Sequence, residues 1–146
     1  MNVKLCSRVA AVLMIVMLGC QFLPYWNDGA GQSASVNSYV WFPHDNEWVT
    51  GQLKAAEEGY SINSVAYPTV LILLLSAIGA VVCLWKSDSM LACLFPTVCG
   101  GYGLAAYLTT AALKAGGLWW LHVLVLAGVL VAGVAGFVCG FRGRIE

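Results

Sequence analysis

The stretch VMLGCQFLPYW, residues 16–26, decides how many times this chain crosses a membrane. It follows Lys4, Arg8 and an apolar run, and its residues 18–20, LGC, have the form of the cleavage box of a bacterial lipoprotein signal. Without cleavage, the apolar run continues from Arg8 to Trp26, about nineteen residues, which is enough to cross a hydrocarbon core of about 30 Å. The two interpretations differ by one transmembrane span.

We interpret the stretch as the far end of an uncleaved first span. The apolar region of a signal peptide usually has roughly 7–15 residues, and Met17 replaces the leucine expected at the start of the box. Further apolar segments also follow, where a lipoprotein would have a soluble domain. We therefore expect Pro24 to bend the exit of the helix and Tyr25 and Trp26 to anchor it at the membrane interface.

The rest of the chain has the composition of a membrane protein. Hydrophobic residues make up 60% of it, charged residues 10%, and the mean hydropathy is +0.81, far from the composition of a soluble domain. Four apolar stretches, near 8–26, 65–85, 90–113 and 118–140, are long enough to cross a bilayer. The sequence predicts an all-α integral membrane protein, a bundle of four transmembrane helices that forms one domain over residues 1–146.

The distribution of cations predicts the orientation of this bundle. One side carries Lys4, Arg8, Lys86, Arg142 and Arg144, against Lys54 and Lys114 on the other. Since cytoplasmic loops carry the excess of Lys and Arg, both termini are expected in the cytoplasm. We expect a multi-pass protein of a bacterial plasma membrane, with the acidic residues Asp28, Asp45, Glu47, Glu57 and Glu58 in its first extracytoplasmic connection.

That connection, residues 27–64, is predicted to fold as a small strand-plus-helix unit after a flexible glycine-rich turn. Residues 34–42, ASVNSYVWF, alternate in a way that suits a strand ended by Pro43. Asp45 or Asn46 then caps a helix that buries Val49, Leu53 and Ala56 and ends at Gly59. Its aromatic residues either pack on the helix ends and the outer leaflet or bind a partner. The candidate partner-binding residues are Tyr39, Trp41, Phe42 and Trp48.

Small residues at four-residue spacing predict helix contacts within the bundle. Gly128, Ala132, Gly136 and Gly140 line one face of the last span, and a corresponding track in the third span runs through Gly101, Ala105 and Thr109. Small side chains let backbones approach closely in lipid. The tracks serve either the hairpin of the third and fourth spans or contact with another subunit.

No catalytic, metal or cofactor site is predicted. The four predicted cores contain no Asp, Glu, Lys or Arg, although intramembrane transport and catalysis usually depend on such groups. The cysteines show neither a CxxC pair nor zinc spacing. We assign the His44–Glu47 segment to capping and solvation, and we interpret the lone His122 as a hydrogen-bonded structural group that is also a candidate pH sensor or substrate contact.

These observations favour a small non-enzymatic membrane protein: a scaffold, accessory subunit or sensor that acts through its aromatic loop and its small-residue helix faces. Its expected partners are the lipid bilayer and another membrane protein or further copies of itself; a net charge of zero argues against nucleic acid. One alternative is an oligomeric channel or small-solute carrier. Its polar lining would be Tyr102, Tyr107, Thr109, Thr110 and His122. A further alternative is an interfacial enzyme that modifies a lipid or quinone, for which we find no nucleophile–base constellation at one depth.

Overall fold

The computed structural model of the chain describes residues 2–27, 29–114 and 116–145. Asp28 and the side chain of Arg144, both used in the charge distribution above, lie outside the described residues. The described helices are α1 (Val3–Cys20), α2 (Val36–Trp41), α3 (Glu47–Ala56), α4 (Asn63–Trp85), α5 (Leu94–Thr109), α6 (Ala111–Lys114) and α7 (Trp119–Ile145). Two-residue strands β1 (Trp26–Asn27) and β2 (Ser33–Ala34) and short 3-10 helices at Pro43–Asn46 and Met90–Cys93 complete the fold.

Among the described residues, four helices are long and apolar enough to cross a membrane. They cover Val3–Cys20, Asn63–Trp85, Met90–Thr109 and Trp119–Gly143. The prediction of an all-α bundle with four candidate spans is thereby confirmed. The third and fourth predicted spans differ at their ends, since the chain leaves α5 at Thr109 and forms the separate short helix α6.

The first span lies about five residues earlier than predicted. Asn2 caps its start, with its side-chain oxygen accepting a hydrogen bond of 2.8 Å from the Leu5 amide. The helix stops at Cys20 because Pro24 has no N–H to donate and its ring would clash with the carbonyl four residues earlier. Phe22 to Trp26 therefore lie outside the helix, whereas Lys4 and Arg8 lie exposed in its first two turns.

The connection between α1 and α4 carries the largest correction. Residues 34–42 were predicted as a strand, but Val36–Trp41 is a helix whose N-cap, Ser35, accepts a hydrogen bond of 3.1 Å from the Ser38 amide. Val36 and Tyr39 are three residues apart and face the core together, a helical spacing that coexists with the alternating pattern in so short a segment. The strands are elsewhere, in a hairpin that pairs Trp26 with Ala34 and Asn27 with Ser33.

The second half of the connection agrees with prediction at its start and departs from it at its end. Asn46 is the N-cap residue of α3, although its side chain donates to the Phe42 carbonyl (3.0 Å) instead of capping α3. Val49 and Leu53 are buried as predicted, but Ala56 is exposed. The helix ends at Ala56 rather than at Gly59. Gly59 lies in the following turn, where its φ of 76° suits glycine.

The small-residue track of α7 packs inside the chain. A Cβ on Gly136 would lie 2.5 Å from Cys93 Sγ and 3.0 Å from Cys6 Cβ, and Gly140 packs against Val3 and Met90. The track therefore contacts α1 and the 3-10 turn before α5. These contacts place the start of α1 and the end of α7 together, at what we call the terminal end of the bundle; the opposite end, which carries residues 21–62, is the cap end.

The packing face of α5 differs by one position from the predicted track. A Cβ on Gly100 would lie 2.5 Å from the backbone nitrogen of Leu130, and one on Gly103 would lie 2.7 Å from Leu126. Gly101 has its nearest such neighbour at 3.9 Å, and Ala105 is exposed. The α5–α7 contact is thus made by Gly100 and Gly103, because the crossing of the two helices selects which face meets the partner.

Candidate functional site

The cap, residues 21–62, has an aromatic core of its own. Tyr25, Trp26 and Tyr39 are at most 2% exposed. The Trp26 ring meets Tyr25 and Tyr39 edge to face, with ring centroids 4.9 and 5.4 Å apart. The Tyr39 hydroxyl shares hydrogen bonds of 2.7 Å with Thr50 and with the Tyr60 hydroxyl. Aromatic burial on this scale lets a small unit hold together while packed on a helix bundle.

Tyr25 and Trp26, predicted as interface anchors, instead lie inside the protein. The Tyr25 hydroxyl donates a hydrogen bond to the Leu113 carbonyl, and the Tyr25 carbonyl accepts one of 2.7 Å from the Gly117 amide. Tyr25 therefore joins the cap to the connection between α5 and α7. Burial, followed by the proximity of Tyr107, raises the pKa of its phenol, so the neutral hydroxyl that makes this bond is favoured.

Beneath the cap lies a buried tyrosine–histidine cluster, which we define as Tyr25, Tyr107 and His122. The Tyr107 hydroxyl and His122 Nδ1 share a hydrogen bond of 3.0 Å, and their rings stack with centroids 5.3 Å apart. Tyr25 meets the His122 ring edge to face at 4.8 Å. His122 Nε2 is buried and makes no hydrogen bond. This arrangement suits a structural role for His122.

The residues proposed as a polar channel lining do not lie on one surface. Tyr107 and His122 are fully buried and bonded to each other. The exposed Thr109 hydroxyl donates to the carbonyl of Ala105 in its own helix, at 2.6 Å. Tyr102 and Thr110 are half-buried. Within one chain, these side chains do not converge on a shared path.

The predicted partner-binding residues separate into two groups. Tyr39 belongs to the cap core, and Trp48 is half-buried against it. Trp41 and Phe42, which we call the aromatic tip, are 54% and 62% exposed. They lie at the end of α2, where the Trp41 indole N–H donates to Asn37 Oδ1 at 3.1 Å. That bond fixes one ring of the tip relative to the cap while leaving its face uncovered.

The surroundings of the aromatic tip are acidic. No Lys or Arg occurs between Arg8 and Lys54, whereas exposed Asp45 and Glu47 follow the tip within five residues. His44 lies 4.0 Å from Glu47, but both side chains are mostly exposed, so solvent screens this pair. Within the described ranges, His, Cys, Asp and Glu do not gather in a group of three or more that could hold a metal ion.

Comparison of this chain with protein-family models, with curated proteins and with solved structures found no match.

Sequence reasoning missed Tyr25 as the residue that joins cap and bundle. A tyrosine that follows an apolar run and precedes Trp26 is expected equally of a residue that anchors a helix at the membrane interface and of one that joins the cap to the bundle. The pair Gly116 and Gly117 was the one feature of the sequence that could have indicated this contact. The Tyr25 ring occupies the space that a Cβ on Gly116 would need. Nothing local links residues 25 and 116, so this contact required the tertiary structure.

Proposed function

We propose that this protein is a small, non-enzymatic membrane scaffold or accessory subunit that binds a partner protein through its aromatic tip. The supporting observation is that Trp41 and Phe42 are more than half exposed although the core of the cap is already filled by Tyr25, Trp26 and Tyr39. Exposed aromatic residues beside a rigid, packed unit are typical of interaction sites.

The charge around the tip favours a protein partner over a lipid surface. Acidic side chains beside exposed rings are repelled by anionic headgroups, so they disfavour contact of those rings with an anionic lipid surface. Here Asp45 and Glu47 accompany Trp41 and Phe42. The complementary surface is an apolar pocket with a basic rim, on another membrane protein or on a protein at the same membrane face.

The proposal includes the orientation derived from the cations, with both termini in the cytoplasm and the cap outside. The small-residue face of α7 contributes little to partner binding in this proposal, since Gly136 and Gly140 already pack against α1 and residues 90–93. Tyr107 and His122 are buried and bonded to each other, so their placement gives the channel alternative no comparable support.

The test places a photoreactive benzophenone side chain at position 42 and, as a matched control, at position 85. Trp85 is an aromatic residue with 76% exposure at the terminal end. Irradiation of native membranes should give a discrete protein adduct from position 42 and not from position 85. The charge reversals Asp45→Lys and Glu47→Lys should abolish that adduct, whereas Lys54→Glu should leave it unchanged.

Two results would overturn the proposal. One is an adduct from position 42 that contains lipid and no protein. The other is a protein adduct that survives both charge reversals, since a partner with a basic rim would then be excluded. In either case, correct folding of the variants is checked by thermal unfolding, because surface substitutions of this kind change stability by no more than about 0.5 kcal/mol.

A further inference from the structure

A polar hollow lies on the surface of the terminal end, where α4 is connected to the 3-10 turn before α5. Its polar lining residues are Lys86, Asp88 and Ser89, and its apolar ones include Leu91 and Phe95. Its volume of about 550 Å³ is within the range of roughly 300–1,000 Å³ that is typical of small-molecule sites. A hollow that combines charged and apolar walls in this way suits an amphipathic ligand.

The two charges that line the hollow do not neutralise each other. Within the described ranges, the pair of opposite charges that approaches to 4.0 Å is that of His44 and Glu47, not that of Lys86 and Asp88. The Lys86 ammonium instead lies 5.2 Å from the centroid of the Trp85 ring, and Lys86 and Asp88 are both exposed. Unpaired opposite charges beside one hollow are complementary to a ligand that carries one anionic and one cationic group.

The hollow continues into an apolar groove on the outer surface of the bundle. The groove shares Leu91 and Phe95 with the hollow and extends along α4 and α5 to Leu75 and Val98. Leu75 precedes Trp85 by ten residues, which is about 15 Å along the helix axis and about half the thickness of a hydrocarbon core. A polar hollow at the membrane edge that leads into a groove of this depth has the form of a site for one phospholipid molecule.

The charges of the hollow indicate which headgroup fits. The Lys86 ammonium attracts the phosphate that every phospholipid carries. The Asp88 carboxylate accepts hydrogen bonds, which a primary ammonium can donate, and it repels a headgroup with a net negative charge. A choline group has no N–H to donate and is usually bound by a cage of aromatic faces, whereas Phe95 contributes the one ring among the described lining residues. The hollow therefore favours an ethanolamine headgroup.

We propose that the hollow and the groove form a binding site for one molecule of phosphatidylethanolamine. Its phosphate lies at Lys86, its ammonium group at Asp88, and one acyl chain along the groove to Leu75. The site is at the terminal end of the bundle, opposite the aromatic tip, so this inference does not depend on the proposed partner protein. In the orientation proposed above, the lipid comes from the cytoplasmic leaflet.

The test measures phospholipid binding to the purified full-length protein by native mass spectrometry. Three lipids with identical palmitoyl and oleoyl chains are compared: phosphatidylethanolamine, phosphatidylcholine and phosphatidylglycerol. The unmodified protein should bind phosphatidylethanolamine most tightly. Equal affinity for the three headgroups, or tightest binding of either other lipid, would overturn the proposal.

Two variants assign the parts of the headgroup to their side chains. Asp88→Asn should weaken phosphatidylethanolamine binding roughly tenfold and strengthen phosphatidylglycerol binding, because the repulsion of the anionic headgroup is removed. Lys86→Gln should weaken binding of all three lipids roughly fivefold, because all three carry a phosphate. The matched controls Glu58→Gln and Arg142→Gln remove charges at exposed positions outside the hollow and should leave binding unchanged. The proposal fails if Asp88→Asn has no larger effect than Glu58→Gln.

A further pair of variants tests the groove. Val98→Phe fills it and should weaken binding of all three lipids, whereas Val12→Phe, at a similarly exposed position of α1, should not. Thermal unfolding checks that both variants fold. Unchanged lipid binding by folded Val98→Phe would contradict the site, and if the same substitution converted a dimer into a monomer, the groove would belong to a second copy of the chain.

Discussion

The two ends of the bundle are held together by different means. At the cap end, Tyr25, Tyr107 and His122 combine large rings with directional hydrogen bonds. At the terminal end, Gly136 and Gly140 let backbones approach closely around Cys6 and Cys93. The difference shows that the fold uses directional bonds where a polar cap must keep its position, and close packing where the helices meet in lipid.

The largest expected effect comes from disturbing the terminal end. Gly136→Leu places a side chain against Cys93 Sγ and Cys6 Cβ, so we expect it to destabilise the protein by roughly 3 kcal/mol. Gly143→Leu is the matched control, because nothing lies within 4 Å of a Cβ at that position. Unfolding in mixed micelles, followed by tryptophan fluorescence, gives both values. Equal losses in the two variants would show that the terminal end does not depend on close packing.

A smaller effect is expected from breaking the cluster at the cap end. Tyr107→Phe leaves His122 Nδ1 buried without its partner and should cost about 1–3 kcal/mol. Tyr102→Phe, half-buried on the same helix, should cost less. A double-mutant cycle with His122→Phe isolates the pair, and a coupling energy of zero would contradict a role for directional bonding there.

The cap should also respond to alkaline pH. Burial, then the hydrogen bond to Tyr39, raises the pKa of Tyr60, and burial raises that of Tyr25. In both tyrosines the pKa of the folded state lies above that of the unfolded state, so the neutral phenols stabilise the folded protein. Their contribution to the free energy of unfolding is complete below about pH 10 and is lost as pH rises toward the folded pKa. The free energy of unfolding should therefore fall above that pH, and less steeply in Tyr60→Phe. Identical slopes in the two proteins would count against this assignment.

The smallest effect on stability is expected at the aromatic tip. Phe42→Ala removes a mostly exposed side chain, so it should change the free energy of unfolding by no more than about 0.5 kcal/mol. Trp41→Ala also removes the hydrogen-bond donor to buried Asn37 Oδ1, so it should cost about 1 kcal/mol. Trp48→Ala, half-buried against the cap core, should cost more. A large destabilisation by the tip variants would mean that these rings pack on the bundle, and it would remove the main support for partner binding.

The cap was harder to predict than the spans because its segments are short. In residues 34–42, alternation and helical spacing coexist, and the Ser35 cap was the local signal that distinguishes them. The candidate site was predicted in part: the aromatic residues were identified, but the sequence did not separate exposed Trp41 and Phe42 from buried Tyr39. That separation depends on the hydrogen bonds of Tyr39 with Thr50 and Tyr60, which lie eleven and twenty-one residues away.

The amino-acid sequence by itself determined the four apolar helices and the small-residue track of α7, because hydropathy and four-residue spacing are local properties of the chain. Only the tertiary structure decided that Tyr25 and Trp26 lie inside the cap and that Gly100 and Gly103 form the packing face of α5. The physical reason is that burial and close approach depend on residues distant in sequence, and these meet only when the helices pack.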